Sequence, residues 1–202
     1  MDNVDLLTFA ELEYLMQGDE GWPNVRAALG LSPSAAMDDV RFAGQASLLV
    51  RDLARWGATG ALELKDTVAK DCELLTEGGN WASFVYSGHT GTGGGSFRST
   101  GPSGSRLLVL GHSLGAVGVH AVAPEGSVAD QFVTLTMGML DGSDPAAIGL
   151  TAPRGTAPAV VVEREAGAWY STTVGHSDRR PTDRAGVQEI IANFVTPLLS
   201  ST

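Results

Sequence analysis

The sequence predicts an α+β fold, and three observations carry that expectation. The first third is helical in pattern, β-prone segments take over after residue 80, and a strand-turn-strand-helix unit occurs twice in the second half. Thr8-Phe9-Ala10-Glu11 has the form of a capping box, in which the Thr hydroxyl and the Glu carboxylate each satisfy a free backbone amide. Phe9, Leu12, Leu15 and Met16 then fall on one stripe, and Gly18 ends the helix. Pro23 suits a first turn, so a second short helix is expected over Trp22 to Leu29. Ser34 is placed to cap a third, with Phe42, Ala46, Leu49, Leu53 and Trp56 on its inner stripe as far as Gly57. A fourth is expected from Asp66 to Leu75, burying Val68, Cys72 and Leu75. Residues 1–79 thus read as a helical portion, and 80–202 as a sheet portion of the same single domain.

Trp81 to Tyr86 is aromatic and β-prone, whereas the Gly/Ser/Thr-rich stretch from Gly88 to Gly104 reads as a flexible loop. The first repeat has Arg106 to His112 as a strand, a turn at Leu114-Gly115, and Ala116 to Ala123 as the return strand. A helix over 128–141 follows, opened by the Ser127/Asp130 signature and buried through Phe132, Leu135, Met139 and Leu140. The second repeat runs Ala159 to Glu165, turn Ala166-Gly167, Ala168 to Val174, then a helix over 183–199 burying Val187, Ile190, Ile191 and Phe194. Asp141 to Thr156, rich in glycine, is expected to join the repeats as an exposed linker. Hairpins followed by helices build a mostly antiparallel sheet with helices on one face.

Composition narrows the function classes. A net charge of -10 repels phosphate backbones and anionic membrane surfaces, so neither nucleic acid nor a membrane is an expected partner. No apolar run approaches a membrane span, and the acidic start, Met1-Asp2-Asn3-Val4-Asp5, lacks the positive charge of a signal peptide. The single cysteine, Cys72, has no intramolecular disulfide partner, which fits a reducing cytoplasm. Eleven Arg against two Lys, with 26 Gly, leans toward a G+C-rich genome such as that of an actinobacterium.

One motif looks enzymatic. Gly111-His112-Ser113-Leu114-Gly115 matches a nucleophile elbow, in which glycines let a strained strand-to-helix turn lift a serine above a parallel sheet, as in lipases and esterases. His176, with Asp141 or Asp144 before it, completes a triad in the right chain order. Against this, Ala116 to Val122 is rich in β-branched residues and reads as a returning strand. No crossover helix fits between Tyr86 and Arg106, and the first 80 residues lack the strands of that fold. A hairpin turn is therefore favoured, with no catalytic residue assigned; the alternative is a small serine hydrolase using Ser113, His176 and Asp141 or Asp144. His89, His112, His120 and His176 do not stand at metal-site spacings, and the glycine run at 88–95 lacks the lysine of a P-loop, so no metal or cofactor is expected. The opening helices and the Ala61 to Leu64 segment have the order of a winged helix, with Arg41, Arg51 and Arg55 on the would-be recognition helix. Asp38, Asp39 and Asp52 offset those charges, giving a degenerate version that does not bind DNA.

Two helix motifs carry a family resemblance. Leu7-Thr8-Phe9-Ala10-Glu11-Leu12 and Ala46-Ser47-Leu48-Leu49-Val50-Arg51-Asp52-Leu53 resemble segments of the EspG family, actinobacterial cytosolic chaperones of type VII (ESX) secretion. At Asp52 that family usually has Gly, and this chain is shorter than typical members. The resemblance implies a non-catalytic role, holding an aggregation-prone helical secretion substrate in the cytosol. The surface expected to do so is the Gly88 to Gly104 loop with the adjoining sheet edge, and an exposed edge is also a route to a homodimer.

Overall fold

In a computed structural model of the chain, the described residues are 6–17, 38–76, 80–89, 91–99, 106–112, 116–122, 126–151, 160–173, 175 and 178–199. They form an α+β structure around a nine-stranded sheet in which every described pairing is antiparallel.

The N-terminal layer begins with strand β1 (Leu6–Thr8) and helix α1 (Phe9–Leu15), and the capping box forms as the sequence predicts: Thr8 Oγ1 accepts from the Glu11 amide and Glu11 Oε2 from the Thr8 amide. Helix α2 (Asp38–Val50) crosses α1 at Gly44, where a Cβ would lie 1.9 Å from the Ala10 carbonyl oxygen. Only glycine lets the two backbones approach this closely. α2 stops at Val50, earlier than the spacing suggests, because Asp52 turns the chain with φ 56. Trp56 therefore lies in strand β2 (Ala54–Trp56), which pairs with β3 (Leu62–Leu64). Phe42, expected on the inner stripe, is 72% exposed, since the α1 contact is made by Gly44 and Leu48 instead. Helix α3 (Asp66–Thr76) buries Val68 and Leu75 as expected, with Cys72 packed beside them. The expected helix at Trp22 to Leu29 and its neighbour Ser34 lie outside the described residues.

Two expectations for the middle of the chain are overturned. Over its described residues the glycine-rich stretch is strand rather than loop: β4 (Trp81–Gly88) pairs along its whole length with β5 (Gly91–Ser99), which pairs in turn with β6 (Arg106–His112), while residues 100–104 lie outside the described residues. Glycine is a poor strand former in isolation, but at Gly95 crowding selects it. A Cβ at Gly95 would stand 2.6 Å from the Val109 carbonyl oxygen and 2.9 Å from the Phe84 ring. The expected linker likewise contains a strand, β8 (Ala146–Thr151), paired to both β4 and β9 (Val160–Glu165). Its Ile148 and Leu150 are fully buried.

With these strands added, the repeat seen in the sequence enlarges. β4, β5, β6 and β7 (Ala116–Val122) form a four-strand meander followed by helix α4 (Val128–Asp141). β8, β9, β10 (Ala168–Thr173) and β11 (Arg180–Thr182) form a second, followed by α5 (Arg184–Leu199). The first strands of the two meanders, β4 and β8, pair antiparallel at the centre, so the halves are related by an approximate two-fold axis through that junction. α4 and α5 pack together on one sheet face over Phe84, Phe97, Ile148 and Val162. The opposite face of the first meander, through Trp81, Val109, Val117 and Val119, is covered by the N-terminal layer.

Candidate functional site

The residues of the hydrolase-like pattern are placed in structural work wherever they are described. β6 and β7 are antiparallel neighbours in register from Arg106 opposite Val122 to His112 opposite Ala116, so residues 113–115 link the two strands of a hairpin. A nucleophile elbow instead needs a strand-to-helix turn at a parallel sheet. Ser113 itself, and His176, lie outside the described residues. Asp141 ends α4 and receives a forked pair of hydrogen bonds from Arg184 at the start of α5, which holds its carboxyl below the usual carboxylate range. Asp144 accepts from the Ala166 and Gly167 amides, both at 2.8 Å, pinning the β9–β10 turn, where those residues have φ 51 and 77.

The two motif segments of the N-terminal layer meet at one point. Glu11 is completely buried, and its carboxylate accepts from Arg51 Nη1 at 2.6 and 2.8 Å and from Ser47 Oγ at 2.7 Å, in addition to the Thr8 amide. Arg51 continues to the Leu6 carbonyl at 2.7 Å, tying β1 to the end of α2. The layer is fastened to the sheet by Arg98 of β5, buried over the Trp81 ring and donating to the Leu74 and Leu75 carbonyls at the C-terminal end of α3. The three arginines of the winged-helix-like segment each lie against a carboxylate: Arg41 with Asp38, Arg51 with Glu11, Arg55 with Glu63.

The sheet face that carries the N-terminal layer continues onto the second meander, where no described helix covers it. Val85, Gly149, Val161 and Thr172 stand side by side on β4, β8, β9 and β10, and Ser87, Ala147, Glu163 and Tyr170 form the next rung. The floor along β8 is made of small residues, Ala147 and Gly149, between the Val85 and Val161 walls. A Cβ at Gly149 would meet nothing within 4 Å. Val85 is 60% exposed. Arg179 closes one end, its guanidinium 3.7 Å from the Tyr170 ring centroid and hydrogen-bonded to Glu163 and Glu165 at 2.9 and 2.8 Å. A hollow of about 480 Å³ lies beside this clasp, lined by Ser87, Ala147, Glu163, Glu165 and Arg179 among others. The chemistry available is that of a recognition surface: a shallow apolar trough with a polar rim.

The contact surface expected at the Gly88 to Gly104 loop and the adjoining sheet edge falls, over Gly91–Ser99, on a strand paired on both sides within the sheet. The alternation in Ala146-Ala147-Ile148-Gly149-Leu150 was the signal that β8 belongs to the sheet, hidden by the Gly, Ser, Asp and Pro residues before it. Among the described residues no group of three or more His, Cys, Asp or Glu is placed to hold a metal ion, and no helix is long and apolar enough to cross a membrane. No protein-family model matches the chain, and no curated protein matches it.

Proposed function

We propose that the protein acts without catalysis, by binding another protein. The observation that carries this reading is the half of the sheet face that no described element covers: the other half is sealed by the N-terminal layer, while this one presents an exposed Val85 with part-buried Val161 and Tyr170 around a glycine- and alanine-floored trough. A recessed apolar strip rimmed by charge favours a protein partner. The partner is read as a helical secretion substrate held in the cytoplasm in the manner of EspG-type chaperones, a reading supported by the Thr8/Glu11 and Ser47/Arg51 segments that carry the resemblance and that join at one carboxylate.

The test is capture of partners, from cells of the source organism, by the tagged full-length chain and by its Val85→Asp variant, with identification by mass spectrometry. A small helical protein retained by the first and lost by the second supports the proposal. Recovery of no protein by the unmodified chain overturns it.

A further inference from the structure

Among the described residues a second apolar surface stands without a partner, besides the half-face that no described helix covers. α2 packs on α1 through Gly44 and Leu48, and its other side turns Phe42 and Val50 outward, 72% and 87% exposed, with Ala43 exposed and Ala46 part-buried between them. These positions, at i, i+1, i+4 and i+8, make an apolar helical ridge. An isolated exposed hydrophobe needs no explanation, whereas a ridge and a trough on one molecule form a complementary pair.

Their arrangement is stepped. The N-terminal layer stands on one half of the sheet face and the half that no described helix covers lies beside it, a shape that lets two copies related by a two-fold axis each fill the other's notch. That second half spans β4, β8, β9 and β10, about 19 Å across at the ordinary strand spacing and about 20 Å along six residues, roughly 400 Å² in projection. That is half of what a specific interface requires from each partner. The reciprocal arrangement engages one face and one ridge per copy and brings the contact to about 800 Å² a side. The trough between Val85 and Val161, two strand spacings apart, is about 10 Å wide and matches the width of one helix.

We infer that, in the absence of a client, a second copy of this chain covers this half-face, the α2 ridge around Phe42 of each protomer seating in the β8 trough of its partner. The inference shares its surface with the function proposed above and adds a regulation to it, because client and second copy exclude one another there. It is tested without any client, so its failure is distinct from failure of that reading.

Sedimentation velocity on the full-length chain over a micromolar range reads the outcome. The expected result is a concentration-dependent species of twice the monomer mass. Phe42→Asp and Val85→Asp, at exposed positions that leave the core intact, each weaken the dimer by about thirtyfold or more, since each forces a carboxylate into an apolar contact. The decisive arm mixes the two variants. The Phe42→Asp copy keeps an intact face and the Val85→Asp copy an intact ridge, so one of the two contacts re-forms and the mixture associates more strongly than either variant alone. A chain that stays monomeric throughout, a dimer indifferent to both substitutions, or a mixture no stronger than its components overturns the inference.

Discussion

Arg51 Nη1 lies 2.6 Å from Glu11 Oε2, and this contact joins the start of α1 to the end of α2 across 40 residues of sequence. Glu11 is buried and Arg51 about one-third exposed, so removing the arginine strands a carboxylate that retains only Ser47 and the Thr8 amide. Loss of one partner from a buried pair typically costs about 3–5 kcal/mol; with two hydrogen bonds left and the arginine about one-third exposed, Arg51→Ala is expected to cost about 2 kcal/mol in urea unfolding. The Glu11→Ala/Arg51→Ala double variant is expected to lose less than the sum of the single changes. Simple additivity would mean that the two side chains are not coupled.

Two glycines in helices are expected to respond with opposite signs. At Gly44 a methyl group runs into the Ala10 carbonyl oxygen, so Gly44→Ala forces α1 and α2 apart at a cost of about 2 kcal/mol or more. At Gly138 in α4 a Cβ meets nothing within 4 Å, so Gly138→Ala is expected to gain about 0.5–1 kcal/mol from reduced freedom of the unfolded chain and better helix propensity. Thermal melts of both variants check the pair, and equal shifts in one direction would contradict the close crossing at Gly44.

Asp52 adopts a left-handed backbone with φ 56, at the position where the resembled family usually has Gly. Its ion pair with Lys65 is long and exposed and contributes little. Asp52→Gly is expected to be neutral to stabilising by up to about 1 kcal/mol, and Asp52→Val to destabilise by about 1–2 kcal/mol, because a β-branched side chain tolerates this region worst. Urea midpoints for the two variants measure the difference.

Burial, with help from the neighbouring Asp71 and Glu73 carboxylates, pushes the Cys72 thiol up to about 11. The thiolate is the reactive form, so alkylation by iodoacetamide at pH 8 is expected to run about a hundredfold slower than at pH 10, rising about tenfold per pH unit as the thiolate fraction grows. A rate that levels off by pH 9 would show an ordinary exposed thiol.

Because β6 and β7 are hairpin neighbours, residues 113–115 are not expected to furnish a nucleophile. A fluorophosphonate probe should leave the chain unlabelled, and Ser113→Ala should leave p-nitrophenyl ester turnover at the background rate. Labelling confined to Ser113 would restore the hydrolase reading.

What the sequence made legible follows from how local each determinant is. The Thr8/Glu11 box, the Ser127 cap of α4 and the hairpins at 106–122 and 160–173 depend on residues within a few positions of one another, and all formed as read. β5 was missed because its pairing is supplied from both sides by β4 and β6, which overrides the weak strand preference of Gly93, Gly94 and Gly95. The end of α2 was placed too late because a positive φ at Asp52 outweighed a spacing that ran on to Trp56. The half-face that no described element covers was invisible for a further reason: it exists only once β8 is inserted beside β4 and the N-terminal layer is seen to cover one meander and not the other.

Site-specific photo-crosslinking in cells tests most directly whether that half-face is the contact surface. A photoreactive residue in place of Val161, in the trough, is expected to give protein adducts, to a client or to a second copy as their masses will tell. The same residue in place of Thr134, exposed on α4 on the opposite side of the sheet, is expected to give none. Adducts from position 134 alone, or from neither position, would contradict the account.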